Sequence, residues 1–284
     1  VESRRDQILD IIRDTSSLPT LPGVVTRLQA LSENRRSTIE EMARLVSSDQ
    51  ILSARVLRLV NSPSYGFYRV STISNALILL GVNVVKSLAL SSSIFEIMEK
   101  TTVGLWEHSL GAGVAANIIA RHLKLPEVEE ISTAALLHDI GKVILKEKCA
   151  DDYDLIAAAM ARDGSTMLEA ERVVLQTDHA EVGEWLVRNW YLPDKLSEPV
   201  ACHHDVARAQ THQTKTAVVH LADVLVKASG FGFSGDEFVP RIQPAAWERL
   251  GMTESDLEVI VEELEDRLVE AKNFSLEIQS ADES

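Results

Sequence analysis

Apolar side chains recur along this chain every three to four residues, the spacing that puts them on one face of an α-helix. The stretch "STIEEMARLVSSD" offers Ser37 or Thr38 as an N-cap, with Glu40 or Glu41 three residues on. Ile39, Met42, Ala43 and Val46 then share one face, so the pattern predicts a capped amphipathic helix. "ILSARVLRLVNS" continues in the same period and stops before Pro63, and "NSPSYGFYR" reads as a turn. "SNALILLGVNVVKSLALSSSIFEIM" predicts one or two further helices broken near Gly81. The periodicity lapses at "EKTTV", residues 99–103, and resumes in "LWEHSLGAGVAANIIARHL". Near the end, "TESDLEVIVEELEDRLVEA" pairs Thr253 with Asp256 as a capping box and aligns Leu257, Ile260, Val261, Leu264 and Leu268. That stripe lasts under three heptads, so it reads as a helix packed on the body rather than a coiled coil. "GFGFSGDEF", residues 230–238, is a loop. Strand-like alternation, internal repeats and low-complexity tracts are missing, and the fold class expected is all-α. The lapse divides it into an N-terminal lobe, residues 1–102, and a second lobe, residues 103–284.

Composition narrows the picture only modestly. The 284 residues are 45% apolar and 25% charged, and the formal net charge is −15. Such a balance disfavours non-specific nucleic-acid binding, which needs clustered cations against phosphates. A helix-turn-helix over residues 38–60 fits the spacing but lacks a basic recognition face, and Arg55 and Arg58 read as exposed or paired. Two cysteines, Cys149 and Cys202, without a CxxC argue for a reducing cytoplasm over a disulfide framework. The most apolar run, "ISNALILLGVNVVKSLAL", is interrupted by Asn75, Asn83 and Lys86 and is not read as membrane-spanning. The sequence starts at Val1, which leaves room for a longer protein carrying a sensor or receiver.

Polar groups inside the apolar helices carry the candidate chemistry. His108 interrupts "LWEHSLGAGVAANIIA"; His138 and Asp139 interrupt "ISTAALLHDIGKVIL"; His179 lies in "TDHAEVGEWLV". His203 and His204 form the pair in "PVACHHDV", and Asp223 lies in "AVVHLADVLVKA". Buried ionisable groups are costly unless paired or metal-bound. One or two divalent ions would satisfy many of them at once. Imidazole and carboxylate without thiolate suit iron, manganese, nickel or zinc. Taken singly, each group has a plainer reading: a lone His on a helix is usually a core or surface residue, and Asp223 can pair with Lys227. His220 lies three residues before Asp223 on the same face, as a partner that orients a ligand or as simple packing. His122 and His212 read as surface residues.

The ordered set "HDIGK", preceded by His108 and followed by His179, His203, His204 and Asp223, resembles the HD superfamily of metal-dependent phosphohydrolases. Its ligand order is most similar to the HD-GYP cyclic-di-GMP phosphodiesterase branch. The N-terminal stretches "LPTLPGVVTRLQAL", "LVSSDQILSARVLRLVNSPSYGF" and "ISNALILLGVNVVKSLAL" resemble something narrower, the HDOD family, the HD-related output domain of bacterial signalling proteins. The resemblance covers roughly residues 15–230. It implies two helical lobes, the second an HD-like bundle. It implies His108, His138, Asp139, His179, His203, His204 and Asp223 as metal ligands, with Asp139 bridging. It also implies catalytic roles for Asp139 and Lys142, the lysine reaching a phosphate oxygen; the plainer reading of Lys142 is a solvated residue after a helix turn. After the His pair comes "HHDVARAQTHQT", without the GYP signature, so the loop associated with cyclic-dinucleotide cleavage is absent or different.

The function this implies is a cytoplasmic signalling output module with a metal site of one or two ions. Its expected partners are a signalling protein, a sensor or receiver domain, or a nucleotide second messenger, with no membrane and with DNA disfavoured. The alternative is an active phosphohydrolase cleaving a nucleotide or cyclic dinucleotide. A third is a helical scaffold in which the histidines are relics.

Overall fold

The computed structural model describes residues 3–13, 36–48, 70–82, 103–190 and 192–282, with scattered residues elsewhere between 27 and 98. Every regular element among the described residues is helical. Backbone packing divides the chain into two compact units, one of Val1–Leu18 with Met98–Ser284, the other of Pro19–Ile97.

In the second of these, α2 (Ile39–Ser47) packs on α3 (Ile73–Leu80). Thr38 and Glu41 form the capping box expected at the head of α2, and Met42, Ala43 and Val46 are buried. α3 ends at Gly81, whose φ of 84° with ψ of 152° is open to glycine and breaks the helix where the sequence indicated. "NSPSYGFYR" and, within the helix-turn-helix segment, residues 49–51, 54–55 and 58–59, Arg55 and Arg58 among them, lie outside the described residues.

The larger unit opens with α1 (Arg4–Arg13). The expected lobe boundary assigns residues 1–18 to the N-terminal half; their packing attaches them to residues 98–284 instead. The cause is an amphipathic face, Ile8 and Ile12, that is fully buried against α9 (His179–Asn189) and its neighbours. At its edge Arg4 pairs with Asp152 and Arg5 with Glu181, and the Arg5 guanidinium lies 5.1 Å from the Trp185 ring centroid.

Two helices form the interior of this unit. α4 (Leu105–His122) and α11 (Gln213–Ala228) pack together and are buried around most of their circumference. A helix apolar on all sides belongs in the middle of a bundle, so polar residues on these two lie deep. Around them stand α5 (Val128–Leu137) and α10 (Asp194–Cys202); α6 (Ile140–Lys148) packs on α9, and α7 (Ala150–Asp163) pairs with α8 (Met167–Leu175). A short α12 (Pro244–Leu250) covers α11, and α13 (Glu254–Asp282) lies along α4. Thr253 and Asp256 cap α13 reciprocally, and Ile260, Leu264 and Leu268 face inward as the stripe predicts.

Candidate metal centre

His138 is the C-cap of α5 and Asp139 the N-cap of α6, so the pair sits at a helix junction rather than within one helix. Asp139 takes φ −98° and ψ 7°, off the helical values, which turns two adjacent side chains toward one point. His108 and Asp223 project from the two central helices, His179 opens α9, and His203 and His204 follow the last turn of α10. α6 reaches α9 through Gly141. A Cβ there would lie 2.7 Å from the Gly183 nitrogen and closer still to the His179 carbonyl oxygen. Only glycine allows this approach, and the approach brings His179 to Asp139.

All seven ligands implied by the resemblance converge. Donor atoms of Asp139, His179, His203 and His204 lie within 4.8 Å of one another, as do those of His108, His138 and Asp223. Asp139 spans both groups. Its Oδ1 is 3.2 Å from His179 Nε2 and 3.9 Å from His203 Nε2, while its Oδ2 is 3.5 Å from His108 Nε2 and 3.4 Å from His138 Nε2. Asp223 Oδ1 stands 3.1 Å from His108 Nε2 and 3.5 Å from His138 Nε2.

The imidazoles are aimed by their other nitrogens. His138 Nδ1 meets the Ala135 carbonyl at 2.6 Å and His203 Nδ1 the Val200 carbonyl at 2.7 Å. A carbonyl only accepts, so each Nδ1 carries a hydrogen, and Nε2 is left to face the cluster. His179 Nδ1 lies 2.6 Å from Glu171 Oε2, which also accepts the His179 backbone N–H at 2.9 Å. Glu171 is fully buried. It escapes sequence reading because one carboxylate in a short amphipathic helix carries no pattern.

Several ligand atoms of the cluster are left unsatisfied. Asp139 Oδ1, Asp223 Oδ1 and His203 Nε2 are buried without a hydrogen-bond partner. Two pairs of Nε2 atoms face each other, His108 with His138 at 3.3 Å and His179 with His204 at 2.8 Å. Ring nitrogens packed against one another and against carboxylates, away from water, form a site that a cation would complete. Five imidazoles and two carboxylates suit first-row divalent ions, and the residues present fit the metal that the sequence implies.

The titration shifts follow the same geometry. Burial alone would depress His138, but Asp139 and Asp223 beside it outweigh burial and lift it to about 9. Burial drives His203 and His204 well below the ordinary histidine value, and neighbouring imidazoles, His179 among them, add to the drop. Burial by itself would raise Asp139 and Asp223. His138 and Lys142 at the first, Lys227 and His108 at the second, hold both well below the usual carboxylate range. In the absence of metal, protons and ammonium groups balance the carboxylates.

Lys142 is buried, which removes the solvated reading. Its Nζ donates to Asp139 Oδ2 and to the Ser234 carbonyl, both at 2.7 Å. Ser234 belongs to the loop at 230–238. That loop also donates the Phe233 N–H to the Gly104 carbonyl at 2.9 Å and accepts the Met167 N–H on Asp236 at 2.7 Å. Gly232, at φ 72°, lies so close to the His108 backbone that a Cβ would collide with it. Lys227 Nζ pairs with Asp223 Oδ2 at 3.2 Å. His220 hydrogen-bonds the His203 carbonyl at 2.8 Å, so it supports the backbone of an expected ligand. His122 and His212 are half-buried rather than superficial. His122 Nε2 is 2.7 Å from Asp256, which ties α4 to α13, and the His212 N–H donates to Glu198.

The family model for the HDOD domain matches residues 18–206, well over half of the chain. The chain belongs to the HDOD domain family. A crystal structure of an HDOD domain protein of unknown function from Geobacter sulfurreducens superposes with a TM-score of 0.77 at 28% identity, covering 96% of this chain and 98% of that one. A Marinobacter aquaeolei VT8 protein, provisionally described as a signal transduction protein, shares the fold with a TM-score of 0.79 at 20% identity. The match covers 97% of this HDOD chain and 66% of the Marinobacter chain. An uncharacterized protein of Treponema pallidum (strain Nichols) is 22% identical over 216 residues. The match covers 74% of this chain but only 42% of that relative's length. Among the described residues no helix is long and apolar enough to cross a membrane.

Proposed function

We propose that this HDOD protein is a signal-transduction output module built around an HD-type site for one or two divalent ions, and that it acts by binding a partner protein or a nucleotide second messenger. The observation that carries the metal reading is the convergence of seven ligand groups with buried oxygen and nitrogen atoms left unpartnered. The signalling reading draws on family membership and on the Marinobacter neighbour. Relatives longer than the matched region favour a module that works inside larger assemblies, with a sensor or receiver as the natural partner. Two free, buried cysteines, Cys149 and Cys202, suit a reducing compartment such as the cytoplasm.

A second reading, a metal-dependent phosphohydrolase acting on a nucleotide or cyclic dinucleotide, is favoured by the completeness of the ligand set. A bound divalent ion would supply Lewis acidity toward a phosphoryl oxygen and would activate water near neutral pH. Within that reading Asp139 holds both halves of the site through its two oxygens. Glu171 keeps the His179 ring directed at the site. Lys142 would leave Asp139 and the Ser234 carbonyl to meet phosphate charge. The missing GYP-type segment after His204 leaves substrate recognition to other residues.

Elemental analysis after anaerobic purification, on wild type and Asp139→Ala, tests the metal reading. Iron, manganese, nickel or zinc near one or two equivalents, reduced in the variant, is expected; wild type without metal overturns it. Turnover of bis(p-nitrophenyl) phosphate or a cyclic dinucleotide by wild type, lost in Asp139→Ala, would select the phosphohydrolase. Metal-loaded protein without turnover leaves the binding module.

A further inference from the structure

The seven ligands are not equally well supported. His108 in the first turn of α4 and Asp223 inside α11 sit on backbone fixed by the helical ladder, and His138 and Asp139 join two helices directly. His203 and His204 lie past the end of α10, followed only by a 3-10 turn at Val206–Arg208 before α11 begins. Something else must hold this backbone still.

The holding groups are Gln243 and His220. Gln243 is the N-cap residue of α12, so its own N–H is not used within that helix. It donates to His220 Nε2 at 3.0 Å. That contact fixes the tautomer: Nε2 accepts, so Nδ1 bears the hydrogen and donates to the His203 carbonyl at 2.8 Å. The Gln243 side chain does the rest. Its amide nitrogen donates to the His204 carbonyl at 2.7 Å, and its amide oxygen accepts the Val206 N–H at 2.9 Å. Three backbone groups across residues 203–206 are thus held by two side chains. The His203 ring is in turn fixed to its own helix by the Val200 carbonyl.

We propose that Gln243 and His220 are a positioning pair that sets the metal affinity of one half of the site, Asp139 with His179, His203 and His204, and leaves the His108–His138–Asp223 half untouched. The inference rests on reading the cluster as a metal centre. Loss of such a ligand-orienting contact typically weakens metal binding about 10–100-fold.

The test uses Gln243→Ala, with Gln243→Glu as the near-isosteric companion that keeps the acceptor for Val206 but cannot donate to His204. Hydrogen exchange on the metal-free Gln243→Ala variant should show faster exchange in the peptide containing Val206, whereas Gln243→Glu should keep that protection. Titration with Co2+, followed by its visible absorption, should give two equivalents in wild type. In both variants one equivalent should weaken about 10–100-fold, with an altered band, while the other binds as in wild type. If the exchange and both Co2+ equivalents match wild type, the positioning pair is refuted and the metal centre stands. If exchange quickens while both equivalents still bind normally, the pair steadies the backbone without setting affinity, and the proposal is again refuted. Should wild type bind no Co2+, the metal centre itself fails, and the affinity claim with it.

Discussion

Lys142 Nζ lies 2.7 Å from Asp139 Oδ2, one helical turn away, and both side chains are buried. The ammonium stands in part where a divalent ion would bring its charge. Removing one member of a buried pair strands the other, at a cost of roughly 3–5 kcal/mol. Lys142→Met should therefore destabilise the metal-free protein by an amount of that order. Added Mn2+ should raise the unfolding midpoint of Lys142→Met more than that of wild type, because the ion takes over the lost compensation. Urea unfolding with and without Mn2+ checks this, and equal shifts in the two proteins would count against it.

Gly141 and Gly183 set the spacing of α6 and α9. A methyl group at 141 meets backbone, whereas one at 183 first meets the Val200 side chain at 3.0 Å. Backbone cannot yield as a side chain can. Gly141→Ala is expected to cost about 1–3 kcal/mol through overpacking and to weaken metal binding by displacing His179 from Asp139. Gly183→Ala should be milder on both counts. Denaturant midpoints together with a metal titration separate the two.

Glu198 holds the turn that leads into α11. Its carboxylate accepts the N–H groups of Gln210, Thr211 and His212. Burial alone would raise its pKa, but these three donors lower it. A carboxylate depressed in the folded state lends stability above its unfolded pKa, about 4.3, and that contribution is lost as pH falls through the folded value. Glu198→Gln should accordingly flatten the acid limb of the Tm–pH curve and lose about 1 kcal/mol near neutrality, comparable to removal of a helix cap. A Tm–pH curve as steep below pH 5 as that of wild type would rule the role out.

The N-terminal helix should behave as part of the larger unit. Ile8 is fully buried there, so Ile8→Ala should cost about 2–5 kcal/mol. Arg5→Ala, at a half-exposed ion pair with Glu181, should cost no more than about 1 kcal/mol. A urea titration in which Ile8→Ala is neutral would show that α1 does not contribute to the unit.

What could be read from the sequence depended on how much pattern each residue leaves. Histidines and aspartates inside apolar helices are conspicuous because burial penalises them, and all seven expected ligands converge. The capping boxes at Thr38 and Thr253 and the break at Gly81 were equally plain, since local chemistry decides them. Glu171 and Gln243 left no trace, because a side chain that serves a distant backbone group creates no periodicity. The attachment of residues 1–18 was misread for a related reason: an amphipathic face declares that it needs a partner, not which one. His122 and His212 looked superficial because their companions, Asp256 and Glu198, are remote in sequence.

The two oxygens of Asp139 give the site an uneven vulnerability. A lineage that loses His204 or Asp223 damages one side and keeps the other, so such a centre can erode by degrees into a single-ion or purely architectural core. If the cluster holds ions as proposed, a change at position 139 has no intermediate stage, since it would disarm both sides in one step. Among descendants of this fold, that position should therefore report most sharply whether ion binding has been abandoned.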